Sequence, residues 1–539
     1  MSKYRTQILI MCILCFCTSI IAQKQERNGR DMRMMPPQEG MMPMGIHQFG
    51  VNFVTETPKD KDVVIRDKAD SLYSYFVENV SFGKAVKIVF SDNDVQVTGL
   101  PEKVQLIKDG AYLTITSVSD EPLAFELSGK TGNGSLTFKT DAPIMLLFNN
   151  VVLKSQRAEA ILTEGNGHVY AVMAAGSINE LSDCRNPEMP PMMMGFPPMG
   201  MGPGGVFRPG EGMPDFKPGE PPFMHSPQEE NPEDYHEQYG IRMKKPQMKK
   251  KVKLEGTFAC GGPLTISGGG SLMVQSNNKV GIKSKASIML RPGNMITVRA
   301  LRGKGVNAKN ELYMYGGALN IDCSFSEDKA LTCGRNMYIT GGHTVIKAAG
   351  GEASEGMQSK FLMQIDGGTV EVAAQDDAIN SQGDMVINGG VVRAFSLSND
   401  AFDSNCNIII NGGEIFASGT GMPEGGLDCN DELGYRLFVN GGSIVAIGGR
   451  HSMPEMQSRQ ASVIWRLGNV EADKIYSIDN VCSYKSLRAY QMGGASLFFS
   501  SPKLKKGSSY SLSIDGEEKE KIESLKSPFV NVGRTGWPF

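Results

Sequence analysis

Paired glycines recur from Gly256 to Ala446: Gly268-Gly269, Gly316-Gly317, Gly341-Gly342, Gly367-Gly368, Gly389-Gly390, Gly412-Gly413 and Gly441-Gly442, with Pro292-Gly293 filling the one missing slot. The second residues of these pairs fall 22 to 29 residues apart, a period that marks a solenoid. A five-residue motif of small, apolar, polar, small and polar residues runs in step with them. Its copies begin at Gly281, Gly305, Ala330, Gly356, Ala378, Ala401 and Gly426; Gly281-Ile282-Lys283-Ser284-Lys285 and Ala378-Ile379-Asn380-Ser381-Gln382 are two. Two independent markers hold one register over seven repeats, so the chain must stack equivalent coils.

Each repeat holds three short runs with period-2 alternation. One is the motif; a second precedes the glycines (Met337 and Ile339, Ile408 and Ile410); a third follows them (Leu319 and Ile321, Val370 and Val372). Alternation at period two means a strand with one buried face, and strands this short bury that face only by stacking turn on turn. The glycines permit a sharp corner between the second and third strands. Leucine-rich repeats share the period, but their leucine and asparagine spacing is absent. The expected fold is all-β: a right-handed three-sided parallel β-helix with an irregular N-terminal cap and a small C-terminal β cap.

The chain divides accordingly. Residues 1–22 carry Lys3 and Arg5, an apolar run from Ile8 to Ile21 and a small-residue site at Ala22, the pattern of a secretory signal peptide. An apolar core of about 14 residues is short for a membrane span, and no later segment reaches spanning length. The mature protein is therefore expected to be secreted (periplasmic, cell-surface or extracellular), without a transmembrane segment, and monomeric. Residues 23–62 are Met/Pro-rich and read as disordered. Residues 63–184 resume the β pattern as an N-terminal segment with the first irregular turns. Residues 185–250 form a Met/Pro/Gly-rich insert, read as flexible, although thioether clusters in an exported protein can also hold Cu(I). The β-helix core spans 251–449, a C-terminal β cap 450–516 and a tail 517–539. Lys+Arg 55 against Asp+Glu 58 leaves no general attraction to nucleic acid.

Seven of the ten cysteines lie beyond the leader. Cys260, Cys333 and Cys429 share one inward column but sit three and four turns apart. At about 4.8 Å per turn they are roughly 14 and 19 Å from one another, too far to bridge. Free buried thiols are expected.

No catalytic constellation emerges. The six histidines stand in no familiar spacing to serine, cysteine or carboxylate, and Walker-type and GxGxxG motifs are absent. The acidic turns carry more. Asp376-Asp377 and Asn399-Asp400 precede successive motifs, and Asn380, Asp403 and Asp428 follow one another in the motif's outward column. Carboxylates stacked about 5 Å apart repel by roughly 1 kcal/mol in bulk water. A hard cation such as calcium turns that repulsion into coordination; the alternative is a row of solvated turns, for which Asp and Asn are good formers. Three residues before the glycines, Tyr313, Tyr338, Val386, Ile409 and Phe438 form an outward apolar column, expected to lie beneath the insert or the C-terminal cap, or else to offer tyrosines for sugar stacking. Asn388, Asn411 and Asn440 beside it read as a structural amide ladder.

Glycine pairs with β-branched alternation and acidic turns of this kind resemble a bacterial family of exported carbohydrate-binding parallel β-helix proteins, similar in architecture to pectate lyases. Leu146-Leu147-Phe148-Asn149-Asn150-Val151 with Asn179-Glu180-Leu181-Ser182-Asp183 is similar to that family's start of the helix, and Ala489-Tyr490-Gln491 with Ser500-Ser501-Pro502-Lys503-Leu504 to its C-terminal signature. The resemblance covers about residues 86–516. It implies calcium as cofactor and a polysaccharide partner, polygalacturonate or a cellulose-like glycan. The family's usual turn is Asp-Asp-Gly-Ile-Lys. Only Asp376-Asp377-Ala378-Ile379-Asn380 and Asn399-Asp400-Ala401-Phe402-Asp403 come near it here, whereas Lys279, Arg302 and Lys304 stand before the earlier motifs. Calcium sites are therefore expected to cluster between 376 and 428.

The preferred function is a non-catalytic, calcium-assisted polysaccharide-binding protein for acidic glycans; tryptophan is scarce (Trp465 and Trp537), which disfavours a flat aromatic platform for neutral ones. A calcium-dependent polysaccharide lyase is the first alternative, with Arg393, between the two acidic turns in sequence, as candidate base. A structural or adhesive surface solenoid is the second.

Overall fold

The computed structural model describes residues 49–63, 65–183, 254–490, 494–526 and 528–533. The proposed leader (1–22) and insert (185–250) lie outside the described residues. Each repeat supplies three strands, as in Ile379–Ser381, Met385–Ile387 and Val391–Ser396. Each strand pairs in parallel with its equivalent one turn on, Ile379 against Phe402, Met385 against Ile408 and Val391 against Glu414. The coil is a three-sided parallel β-helix of about 11 turns. Its sides are called here the motif face, the pre-glycine face and the post-glycine face.

Alternation fills the interior. On the motif face Ile282, Val306, Leu331, Met357, Ile379, Phe402 and Leu427 stack as one inward column, each essentially fully buried. Burying a side chain of this size contributes about 1.5–3 kcal/mol, repeated on three faces. Cys260, Cys333 and Cys429 lie in the neighbouring small-residue column, and the six described cysteines are all free.

The corner between the second and third strands needs glycine. Gly390 has φ +87°, and a Cβ there would stand 2.8 Å from the Gly368 carbonyl oxygen. Gly390→Ala should therefore destabilise the coil by about 1–3 kcal/mol, read as a shift of the urea unfolding midpoint.

At the N-terminal end, Val86–Asp92 and Asp94–Thr98 form a hairpin, as do Val104–Asp109 and Ala111–Ser117; the parallel register begins from these. At the other end, Ser496–Ser500 pairs antiparallel with the last post-glycine strand, Ser443–Gly448, and with Ser462–Arg466. Phe498 and Ile464 thereby enter the solenoid core. Two expectations need correction. Of the expected strand Leu487–Gln491, the described residues 487–490 form none: Tyr490 makes an isolated bridge with Val470. Residues 517–533 are no tail. Glu517–Ile522 pairs with Tyr510–Ile514, and Phe529–Gly533 runs parallel to Ser462–Arg466. The charge of Glu517-Glu518-Lys519-Glu520-Lys521 hid the first of these, yet charge is what an exposed edge strand requires.

The larger correction concerns the N-terminal segment. Residues 49–62, read from sequence as the end of a disordered stretch, form with 65–85 a strap across the coil, irregular but for two short 3-10 turns at Tyr73–Tyr75 and Val77–Asn79. Phe49 stacks on Phe395 at 4.7 Å. The Asn320 amide bonds both the N–H and the C=O of Val54, each at 2.9 Å, doing for one residue what a paired strand would do. Asp60 accepts the Gly317 N–H at 3.1 Å. Arg291, 2% exposed, is gripped by Asp62 and Glu78 and lies over the Phe76 ring at 4.7 Å. Each contact engages a single side chain, so the strap has no periodicity to read.

Candidate functional site

The motif face carries the acidic ladder on three consecutive turns. Strand register sets Asn380, Asp403 and Asp428 side by side, because the apolar residue between each acidic pair (Ile379, Phe402) is pulled into the core. Asp377 and Asp400 stand three residues before Asn380 and Asp403, so the first two turns each present two oxygen-bearing groups, while the third, with Gly425 in the equivalent place, presents Asp428. Asp377 and Asp400 are each 6% exposed and Asn380 is 7% exposed. Carboxylate oxygens of Asp400, Asp403 and Asp428 come within 4.8 Å of one another.

Five of the seven expected ligands thus converge, and two do not. Asp376 and Asn399 pair with each other, Asn399 Nδ2 donating to Asp376 at 2.7 Å, one residue further back along the turn. Sequence reasoning missed three neighbours. Glu355 and Gln358 hold the same register positions one turn earlier, and Gln358 Nε2 donates to Glu355 at 2.8 Å; the spacing Glu-x-x-Gln was the available signal. Ser452 Oγ donates to Asp428 at 3.1 Å.

The electrostatics are those of crowded acids short of positive charge. Burial, then the nearby Asp403 and Asp376, push the Asp377 carboxyl up to about 8. Burial pushes Asp400 up to about 9, with the Asp428 and Asp377 charges adding to it and the Gly425 N–H opposing. Burial and Asp428 raise Asp403 to about 6. The Asn380 Nδ2 group bonds Asp377 at 3.1 Å and Asp403 at 2.6 Å, while its buried Oδ1 has no partner among the described residues.

That orphaned oxygen is the test of whether a cation fits. An all-oxygen set of carboxylates and one amide suits a hard ion such as calcium. An amide that turned its oxygen toward Asp377 and Asp403 would be repelled without a cation and held by one. A buried acceptor left unmade costs about 1–3 kcal/mol, which coordination removes. The residues fit calcium.

The other expected residues lie elsewhere. Tyr313 and Tyr338 stack on the pre-glycine face with centroids 5.4 Å apart. Tyr75 of the strap meets Tyr313 edge-on at 6.1 Å, so the strap reaches the start of this column; the insert expected to cover it lies outside the described residues. Gln364 also interrupts the column between Tyr338 and Val386. Arg393 is on the post-glycine face, held by Glu371 at 2.6 Å, and is not brought to the acidic ladder by any contact. The asparagine ladder is present: Asn440 donates to Asn411, Asn411 to Asn388 and Asn388 to Asp366, at 2.9, 2.8 and 2.6 Å.

Residues 243–425, about a third of the chain, match the model of a family described as "Carbohydrate-binding domain-containing protein". The matched stretch includes Asp377, Asn380, Asp400 and Asp403. No curated protein matches the chain. Among solved structures, a polysaccharide lyase-like protein from C. thermocellum, solved as a gadolinium derivative, aligns at 17% identity and a TM-score of 0.35, covering 61% of this chain and 96% of that one. Among the described residues, no helix is long and apolar enough to cross a membrane.

Proposed function

We propose that this is an exported, monomeric, non-catalytic protein that binds polysaccharides with the assistance of calcium, and that its ligands are acidic, pectin-like glycans. The observation that carries the reading is the crowding of Asp377, Asp400, Asp403 and Asp428 about Asn380, whose amide nitrogen meets two of them and whose buried oxygen has no partner among the described residues. The match of residues 243–425 to a carbohydrate-binding family supports the glycan. These five residues would hold the ion. When bound, calcium supplies a positive centre with coordination positions to spare for sugar carboxylates. Asp376 and Asn399 orient the turns. Tyr313 and Tyr338, part-covered by the strap, are not assigned a sugar, and Arg393, engaged by Glu371, is not assigned the role of base.

Affinity gels containing polygalacturonate test this. Retardation in calcium, abolished by chelator and by the triple substitution Asp377→Asn/Asp400→Asn/Asp403→Asn, is the expected result. Calcium affinity of the triple variant should fall by at least about tenfold. Retardation that ignores both chelator and substitution would sink the calcium role; none in either condition would return the weight to neutral glycans or a structural part. The non-catalytic reading predicts no 4,5-unsaturated product by ultraviolet absorbance after prolonged incubation with pectic substrates.

A further inference from the structure

The motif face reverses its charge along its length. In the outward polar column Lys283, Asn307, Thr332 and Gln358 lead to Asn380, Asp403 and Asp428. Beside the earlier turns lies a recess of about 460 Å³, lined by Lys283, Lys285, Lys304, Lys309 and Lys360 and by no carboxylate. Lys283 is engaged by Glu255, and the nearby Lys329 by Glu355. Among the described residues no carboxylate lies within ion-pair distance of Lys285, Lys304, Lys309 or Lys360. Lys304 is half-buried, and burial draws its ammonium below the usual lysine range, with Asp328 and Glu355 opposing and the Lys329 and Lys360 charges adding to the fall.

Ammonium groups from several turns that line one recess, four of the five without an ion-pair partner among the described residues, repel one another, as the carboxylates do at the acidic ladder. The remedy here is an anion. Lys304 and Asp377 hold equivalent positions three turns apart, roughly 14 Å at about 4.8 Å per turn. A lone phosphate would use only the basic end. An extended chain carrying an anionic group on every sugar unit uses both ends, meeting lysines directly and the ladder through calcium.

We propose that the lysine-lined recess is an anion subsite that takes carboxylate or sulfate groups of an acidic polysaccharide lying along the motif face. This rests on the polysaccharide-binding reading above and adds to it a second contact region and a polarity of charge along the bound chain. Basic residues replace the acids of the Asp-Asp-Gly-Ile-Lys turn here: Lys279 and Lys304 stand where those acids would be, with Arg302 two residues before Lys304.

The test is amine labelling of the full chain followed by mass spectrometry, with polygalacturonate, a sulfated glycosaminoglycan or neutral cello-oligosaccharide present in calcium. Protection of Lys304, Lys309 and Lys360 by polygalacturonate is the expected result, and protection by the sulfated chain alone supports the same subsite with sulfate as its ligand. Equal protection by the neutral glycan overturns the anionic assignment. Polygalacturonate retained in calcium gels with these lysines labelled at an unchanged rate overturns the subsite and leaves the binding reading standing. No retention and no protection removes both. In parallel, Lys304→Gln/Lys309→Gln should weaken retention by about tenfold, the equivalent of one charge-assisted contact, and make it less sensitive to salt. Its thermal midpoint reports folding, and the labelling of the unsubstituted chain stands independently of it.

Discussion

In chelator, the protein should lose thermal stability steadily between pH 5 and pH 9, and calcium should restore more of it the higher the pH. The sign follows from the acidic ladder. Asp377, Asp400 and Asp403 have folded pKa values of about 8, 9 and 6, all above the value near 3.9 of an unfolded aspartate. A carboxyl raised in this way contributes stability that is fully present below about pH 4 and lost as pH rises through the folded pKa. Each contributes a loss of at most about 1.4 kcal/mol per pH unit across its window. Calcium binds only the ionised form, so it opposes the loss, by an amount that grows with its concentration over its Kd. The midpoint difference between calcium and chelator should therefore widen through pH 6 to 9, by several degrees. Asp400→Asn removes a charge from the same space. It should flatten the pH slope in chelator, raise the midpoint there at pH 8, and shrink the calcium response. A calcium response that stays constant across this range would show that the ladder does not hold the ion.

Much of the coil is legible in the sequence because its determinants are local and repeated. A glycine that must take positive φ, such as Gly390, and an apolar residue that must face inward, such as Phe402, each mark their position independently. Together they fix the register that sets Asp403 beside Asp428. The ladder could therefore be placed before any coordinates, but its membership could not be completed. Whether Asp376 or Asp377 joins the ladder depends on which way the turn rotates as it leaves Ala374: Asn380 bonds Asp377, and Asn399 bonds Asp376. The strap was not legible at all. Phe49, Val54, Asp60 and Glu78 answer to partners more than two hundred residues away, and nothing in their own neighbourhood announces that. The lysine recess falls between these cases. Lys279, Arg302 and Lys304 were visible as departures from an acidic turn, but only the stacking of turns shows that lysines from several repeats line one cavity.

Substituting both carboxylates that hold Arg291, Asp62→Asn and Glu78→Gln together, should be among the most damaging surface changes available in this protein. The guanidinium is 2% exposed while its partners are 42% and 50% exposed. Removing them leaves a buried cation unpaired, and breaking a buried pair from one side costs about 3–5 kcal/mol. The chain can lessen that cost only by lifting the strap and letting water in. Limited proteolysis should then cut between residues 55 and 70, where the unsubstituted protein resists. Arg291→Met, which removes the charge and keeps most of the volume over Phe76, should cost far less, and adding it to the double substitution should recover most of the loss. The strap's described contacts are with the pre-glycine and post-glycine faces, through Tyr313, Asn320, Val345 and Phe395, and with Arg488 of the C-terminal cap, and none is with the acidic ladder. An unstrapped protein should consequently keep its calcium-dependent retention on polygalacturonate while exposing the stacked tyrosines. Retention that no longer needs calcium once the strap is lifted would place the glycan on the exposed tyrosines instead.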